Sequence, residues 1–147
     1  FPLLAWAAKR CGRAVKWIAT RSEVMTSDHA GRDHHALASL ALDAEGKFLA
    51  RRCDSTFNVG GYLCGAGAGV ATFQHVHLPG SVYAIPALDI GVKAVLTNTT
   101  PIGVTRGPGF AESINVMERL IDTAARRHGF DRVELRRRNM AATPMTN

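Results

Sequence analysis

Arg106 is the residue best suited to chemistry, because it lies in a segment of unusual backbone composition, PIGVTRGPGFAES. Gly107 and Gly109 can adopt backbone conformations denied to other residues, and Pro108 between them restricts its own φ angle. A helical pattern starts directly afterwards, and a helix start offers free N–H groups and the positive end of its dipole. The segment therefore suits a guanidinium that holds an anionic oxygen. It equally suits a helix-entry turn whose arginine pairs with a carboxylate, and both interpretations stay open.

Two further clusters have simpler structural explanations. The GAGAG run at 65–69 could approach a phosphate, but it matches neither the P-loop nor the dinucleotide-binding pattern, which favours a packing segment or loop. The histidine pairs His34–His35 and His75–His77 lack the carboxylate or thiolate spacing that completes a metal site. They are interpreted as surface or hydrogen-bonded histidines, and no metal ligand is predicted.

A basic strip runs from Arg126 to Arg138 and contains six of the eighteen lysines and arginines. Clustered arginines can neutralise phosphates, but no aromatic stacking platform accompanies them, and Asp131 and Glu134 interrupt the run. A solvated helical face or a subunit contact is the favoured interpretation. The alternative function is a standalone α+β module that binds acidic protein or nucleic acid through this strip.

Length and composition restrict the class of protein. The 147 residues are 46% apolar, enough for the core of one domain. No run approaches the ~20 apolar residues of a membrane span, and no secretory signal is present. Cys11, Cys53 and Cys64 suggest neither a disulfide framework nor a zinc site, which favours a reducing compartment. Because the first residues lack a methionine and already look helical, residues 1–147 are expected to be an internal fragment, truncated at both ends.

The elements that must position these residues are predicted from periodicity. Helical spacing predicts a first helix that ends at Gly12, and Ser22 with Glu23 is predicted to open a short helical turn. Alternating apolar residues predict strands. The predicted strands are 13–21, a β-hairpin from Leu37 to Ala50 with AEG at its tip, and a strand around 90–96; residues 62–82 are expected to form a loop with at most one helix.

The last third of the chain is predicted to form a helical pair. Apolar residues recur at helical spacing along one face of the first helix, and charged residues are assigned to the outer face. The inward set is Phe110, Ile114, Met117, Ile121 and Ala124, and the outward set is Glu112, Arg119, Asp122 and Arg126. Gly129 ends this helix, and Asp131 with Glu134 caps a second one. Mixed strands and helices without βαβ regularity indicate the α+β class.

Six short motifs then occur in the order and spacing of a known family. They are VKWIATRSE (15–23), VGGYL (59–63), YAIP (83–86), TNTTP (97–101), RGPG (106–109) and VELRRRN (133–139). In this register the chain resembles the molybdenum-binding large subunit of the xanthine dehydrogenase, aldehyde oxidase and carbon monoxide dehydrogenase family. The resemblance implies a piece of a larger molybdopterin-binding domain that is inactive alone, with the family's catalytic glutamate outside this chain.

The resemblance assigns roles to the opening motif. It implies that Arg106 orients groups at the molybdenum centre, that Gly107 allows close backbone approach to the cofactor, and that Pro108 lines the substrate pocket. Xanthine-oxidising members place phenylalanine where Pro108 stands, and carbon monoxide-oxidising members place cysteine where Gly107 stands. An aldehyde or N-heteroaromatic substrate, with water as the oxygen source, is therefore expected.

The resemblance also implies cofactors and partners. Molybdenum–molybdopterin is expected, in a cytosine dinucleotide form, with 2Fe-2S clusters and FAD on other subunits or domains that receive the electrons. The expected partners are iron–sulfur and FAD-binding subunits in a hetero-oligomer, together with a small-molecule substrate. Neither nucleic acid nor a membrane span is expected, and the expected location is cytoplasmic.

Overall fold

One mixed three-stranded sheet organises the chain, and the helices at 67–77 and 110–128 pack against it. The computed structural model describes residues 2–142, apart from the side chains of residues 70, 71 and 74. Its elements are α1 (Pro2–Cys11), α2 (Arg21–Ser27), β1 (His34–Leu42), β2 (Phe48–Gly60), α3 (Gly67–His77), β3 (Ala87–Leu96), α4 (Phe110–His128) and α5 (Arg132–Asn139). The strand order is β1-β2-β3, with β1 antiparallel and β3 parallel to β2. The α+β class and the C-terminal helical pair are confirmed.

Strands β1 and β2 form the predicted β-hairpin. The Asp43 carboxylate closes its turn by accepting hydrogen bonds from the backbone N–H of Glu45 at 3.1 Å and of Lys47 at 2.7 Å. Gly46 takes a positive φ of 83°, which glycine adopts without steric cost. A shift of register at Ala41 and Leu42 allows both Phe48 and Arg51 to be buried.

Helix α3 connects the parallel strands β2 and β3. A crossover is needed because the last residue of β2 and the first residue of β3 lie at opposite ends of this strand pair. It is the one helix that the sequence allowed between residues 62 and 82. The GAGAG run supplies its first residues, and their small side chains carry no apolar periodicity from which a helix could be recognised.

The larger hydrophobic cluster joins α4, α5 and the hairpin. Phe48, Met117 and Ile121 are fully buried in it, and Leu135 is 1% exposed. Burial of each such side chain stabilises the fold by about 1.5–3 kcal/mol. The buried Asn139 amide adds directed contacts, since it accepts from the Phe48 N–H at 2.7 Å and donates to the Gly46 carbonyl at 2.9 Å. The end of α5 is thereby attached to the hairpin turn.

The buried face of α4 differs from the predicted stripe. Helical spacing predicts Glu112 on the outer face, yet it is only 4% exposed, whereas Phe110 and Ile114 are 36% and 43% exposed. The reason is tertiary: Ser113 donates from its hydroxyl to the Leu78 carbonyl at 2.7 Å, which turns the first part of the helix toward the end of α3. Apolar spacing alone does not show this rotation.

The predicted strand at 13–21 is wrong. Residues 13–20 form no strand and no bridge with any described residue, and Trp17 and Ile18 are 60% and 72% exposed. Alternating apolar residues create a strand only where another strand supplies hydrogen-bond partners. The following helical turn exists as α2, but its cap is Thr20, whose side chain and backbone both bond Glu23. Among the described residues, no helix is both long and apolar enough to cross a membrane.

A polar band crosses the inner face of β2. Arg51, Cys53 and Ser55 are all nearly inaccessible, and the Ser55 hydroxyl lies 2.9 Å from Nε2 of the buried His75. Burial, followed by the nearby charges of His34 and Arg51, lowers the pKa of His75 to about 4. Burial also lowers the pKa of Arg51, whose guanidinium nitrogens have no hydrogen-bond partner among the described residues. His75 is therefore neutral at physiological pH.

This band predicts acid sensitivity. Because the pKa of His75 in the fold is about 4, against an ordinary value of 6.5, the unfolded chain binds a proton between these pH values that the folded chain does not. The contribution of His75 to the free energy of unfolding should therefore fall from pH 6.5 down to pH 4, by up to roughly 3 kcal/mol, and then level off. Thermal unfolding at pH 7 and pH 4.5 should show a smaller acid loss for His75→Gln than for wild type. The exposed His128→Gln serves as control, and an identical acid loss in all three proteins would contradict the assignment.

Candidate functional site

Arg106 lies on the turn that enters α4, as the sequence predicted. Gly107 and Gly109 both have left-handed backbone conformations, with φ of 72° and 77°. Gly109 is the N-terminal cap of α4, and it has no side chain to occupy the free N–H groups of the first turn. The Arg106 side chain is exposed, and Pro108 is half-buried.

The segment before this turn is held by the Asn58 amide. Its nitrogen donates to Thr99 Oγ1 and to Asp33 Oδ2, each at 2.8 Å. Its oxygen accepts from Thr97 Oγ1 at 2.6 Å and from the Gly60 N–H at 2.9 Å. This half-buried side chain therefore uses all of its principal hydrogen-bonding directions, and two of the four bonds connect β2 to Thr97 and Thr99 of the TNTTP motif.

Two glycines allow the segment to pass close to its neighbours. A Cβ on Gly60 would lie 2.4 Å from the Thr100 carbonyl oxygen, and one on Gly67 would lie 2.2 Å from the Ile102 carbonyl oxygen. No side chain fits at such distances. The GAGAG run thus serves, at Gly67, the packing role that was one of its two interpretations.

Residues 29–32 support the other side of the segment. Ala30 and Ile102 form a parallel bridge, the Gly103 N–H donates to the Ala30 carbonyl at 2.7 Å, and the Ala30 N–H donates to the Pro101 carbonyl at 3.1 Å. The Arg32 guanidinium then donates from Nη2 to the Arg106 carbonyl oxygen. The backbone of the Arg106 turn is consequently fixed from outside the turn.

Glu112 brings a buried carboxylate to the first turn of α4. Its Oε1 lies 3.9 Å from Arg32 Nε, and its Oε2 has no hydrogen-bond partner among the described residues. The pair is asymmetric, because the Arg32 side chain is 39% exposed and that of Glu112 only 4%. A carboxylate in this position gains from the helix dipole as well as from Arg32.

The three predicted site residues lie together on one turn, and three residues that support this turn or the segment before it were not predicted. Arg32, Asn58 and Glu112 were not singled out by sequence reasoning. An asparagine among the apolar residues at the end of a strand was the available signal for Asn58. Nothing local marks Arg32, since its contact with Arg106 spans 74 residues.

The other predicted clusters lie elsewhere. His34 stacks on Phe57 with ring centroids 5.1 Å apart, and no group of three metal-ligating side chains occurs among the described residues. In the basic strip, Arg136 contacts Glu118 and Asp122 at 2.8 Å. One of the positive charges of the strip is therefore paired with carboxylates of α4. A groove of about 600 Å³ between β1 and α4 contains no residue of the Arg106 turn in its lining.

The arrangement offers two features to an anionic or polar group: an exposed guanidinium and the uncapped start of a helix. A Cβ on Gly107 would meet only Arg32 Nη2, at 4.0 Å, so the described chain leaves space beside this residue. These groups can bind and orient oxygen atoms through charge-assisted hydrogen bonds. Among the described residues of this turn, 106–109, none carries a nucleophilic side chain.

Comparisons with known proteins agree on one family. The model of the molybdopterin cofactor-binding domain matches residues 2–140. The chain is 39% identical over 136 residues to the 6-hydroxypseudooxynicotine dehydrogenase complex subunit gamma of Paenarthrobacter nicotinovorans. It is 31% identical over 130 residues to the carbon monoxide dehydrogenase large chain of Hydrogenophaga pseudoflava. The quinoline 2-oxidoreductase of Pseudomonas putida 86 superposes with a TM-score of 0.85 at 33% identity.

These matches cover most of this chain and a small part of each relative. The match to the gamma subunit covers 92% of this chain and 17% of that relative. The corresponding shares are 87% and 16% for the carbon monoxide dehydrogenase large chain, and 99% and 19% for the quinoline 2-oxidoreductase. The chain thus spans less than a fifth of the length of these proteins.

The close approach of β2 to the TNTTP motif can be tested with two glycines. Gly60 and Gly129 have nearly equal φ angles of 78° and 75°, but a Cβ on Gly129 has no atom within 4 Å. Gly129→Ala should cost about 1 kcal/mol, the conformational cost alone. Gly60→Ala should cost at least about 2 kcal/mol more, because the backbone at Thr100 must move. Unfolding midpoints measure the difference; equal losses would mean that the segment does not pack as described.

Proposed function

This chain belongs to the molybdopterin cofactor-binding domain family, and from that premise we propose that it is an internal part of the catalytic subunit of a molybdenum hydroxylase. The observation that carries the proposal is the exposed Arg106 guanidinium on a rigid turn at the uncapped start of α4. Relatives named as a dehydrogenase complex subunit, a carbon monoxide dehydrogenase and a quinoline oxidoreductase favour oxidative chemistry. The catalytic glutamate belongs to another part of the subunit.

The turn fits an anionic cofactor. Arg106 would orient oxygen atoms at the molybdenum centre, and Gly107 would allow the backbone close to the cofactor, since a Cβ there meets only Arg32. When bound, the molybdenum–pterin group supplies the two-electron oxidation of the substrate carbon. This chain contributes charge, donors and orientation, which are most effective when fixed beforehand by the fold.

The substrate class follows from the residues beside Arg106. Gly107 stands where carbon monoxide-oxidising members have cysteine, and Pro108 stands where xanthine-oxidising members have phenylalanine. Pro108 lacks an aromatic surface on which a purine could stack. The proposed reaction is therefore hydroxylation of an aldehyde or an N-heteroaromatic compound with oxygen from water.

Further subunits complete the proposal. Two of the relatives are named as subunits or chains of larger enzymes. We assign 2Fe-2S clusters and FAD to partner subunits or domains of a cytoplasmic hetero-oligomer, which accept the electrons, and a cytosine dinucleotide form to the molybdopterin. Isolation of the native complex with metal and flavin analysis tests this composition.

Arg106 provides the central test. In the complete enzyme, Arg106→Ala should lower kcat by about 10²- to 10³-fold, the usual effect of losing one preorganised donor. Arg106→Lys should recover only part of the rate, because lysine lacks the planar donor fork. Steady-state turnover of benzaldehyde and of quinoline with a dye acceptor, beside molybdenum content, measures this. Arg138→Ala, in the basic strip, is the matched control; normal kinetics and normal molybdenum in Arg106→Ala would refute the role.

Pro108 provides the specificity test. Pro108→Phe should introduce a stacking surface and raise the ratio of kcat/KM for quinoline to that for acetaldehyde by about tenfold. Pro108→Ala separates this effect from the loss of proline rigidity. If the ratio is the same in wild type and both variants, Pro108 does not line the substrate pocket.

A further inference from the structure

Arg32 connects the two ends of the Arg106 turn. Its Nη2 donates to the carbonyl oxygen of Arg106, and its Nε lies 3.9 Å from Glu112 Oε1. The first contact is to the backbone of Arg106 and leaves the Arg106 guanidinium exposed. The second is to the first turn of α4. One planar side chain therefore spans the turn from Arg106 to the start of the helix.

The backbone of Arg32 adopts a left-handed conformation, which is unfavourable for a residue other than glycine. Its φ of 59° makes it one of two non-glycine residues with a left-handed conformation among the described residues. Such a conformation persists only where the surroundings enforce it, and it concentrates at functional positions. Here the Ala30 bridge to Ile102 precedes it, and a Cβ on Gly31 would lie 2.7 Å from Thr105 Oγ1. The backbone that carries the Arg32 side chain is thus held close to residues 102 and 105, and from there the guanidinium reaches the Arg106 carbonyl.

The ion pair with Glu112 favours this position of the Arg32 guanidinium. A carboxylate that is 4% exposed needs a compensating charge, and Arg32 is the one cation within 4 Å of it among the described residues. Glu112 Oε2 has no donor among those residues. Separation of Arg32 from Glu112 would leave a buried carboxylate without an ion-pair partner, so the pair resists opening.

We propose that Arg32 and Glu112 form a clamp that positions Arg106, with Arg32 holding the Arg106 carbonyl and Glu112 holding Arg32. The clamp rests on the proposed function, since it gives the molybdenum-centre arginine its orientation. Arg32 is a positioning residue: it acts on the reaction through Arg106. Small displacements of orienting groups cost about 10²-fold in rate, so such a clamp has a measurable effect on turnover.

The test uses the complete enzyme with four substitutions: Arg32→Ala, Arg32→Lys, Glu112→Gln and, as control, Arg52→Ala. Arg52 also makes ion pairs, with Asp54 and Asp89 at 3.4 Å, but on the exposed face of the sheet. Two quantities are measured for each variant. One is hydrogen–deuterium exchange of peptides covering 103–109, with the hairpin turn 43–47 as internal reference. The other is kcat and KM for benzaldehyde and quinoline.

Arg32→Ala should raise amide exchange at 103–109 by about tenfold, since it removes a charge-assisted hydrogen bond, and leave 43–47 unchanged. It should lower kcat by about 10- to 100-fold and change KM by less than about twofold. Arg32→Lys should recover part of both effects, because one ammonium reaches the Arg106 carbonyl but cannot span to Glu112. Glu112→Gln should shift both quantities in the same direction by less, and Arg52→Ala should change neither.

The outcomes separate the clamp from the proposed function. Unchanged exchange at 103–109 in Arg32→Ala overturns the clamp whatever the kinetics. Raised exchange with normal kcat, while Arg106→Ala is impaired, overturns positioning by Arg32. Raised exchange with normal kcat in both Arg32→Ala and Arg106→Ala supports the clamp as a structural feature and overturns the proposed function instead. Raised exchange with lowered kcat and unchanged KM supports both.

Discussion

The position of the Arg106 segment depends first on the Asn58 amide. This one side chain donates to Asp33 and Thr99 and accepts from Thr97 and the Gly60 backbone. Only a carboxamide combines two donors with an acceptor at the same atomic positions, so neither aspartate nor leucine reproduces the set. Because Asn58 lies near the end of the central strand, the hydrogen bonds of its amide attach residues 97–99, which have no regular secondary structure, to the sheet.

Hydrogen bonds carry more of the structure at this end of the molecule than apolar burial does. The cluster around Phe48 contains seven buried residues, whereas the one beneath the TNTTP motif contains Phe57, Val59 and Ile102. The polar band at Ser55 and His75 separates the two. The hydrophobic effect stabilises the fold without a preferred direction, while hydrogen bonds specify distance and angle. Beside the smaller cluster, the Arg106 turn and the segment before it are therefore held mainly by directed hydrogen bonds.

The sequence predicts correctly those elements that local patterns determine, and it does not predict those that depend on partners remote in the chain. The hairpin with its turn at Gly46, the end of α4 at Gly129 and the cap at Asp131 follow from short-range chemistry, and all are present. Residues 13–20 have the alternating apolar residues of a strand, but no described strand lies beside them. The buried position of Glu112 depends on contacts from outside α4, which helical periodicity cannot contain.

The same division applies to the Arg106 turn. Its glycines, proline and helix start were readable from the sequence, because each acts through its own backbone. Its orientation was not readable, because it results from three distant parts of the chain: Asn58 on β2, Gly67 on α3 and Arg32 before β1. Glycines alone would make the turn mobile, since glycine loses the most conformational freedom on folding. The external contacts convert this permissive backbone into a fixed one, and a fixed backbone is what an arginine needs if it is to orient a bound group.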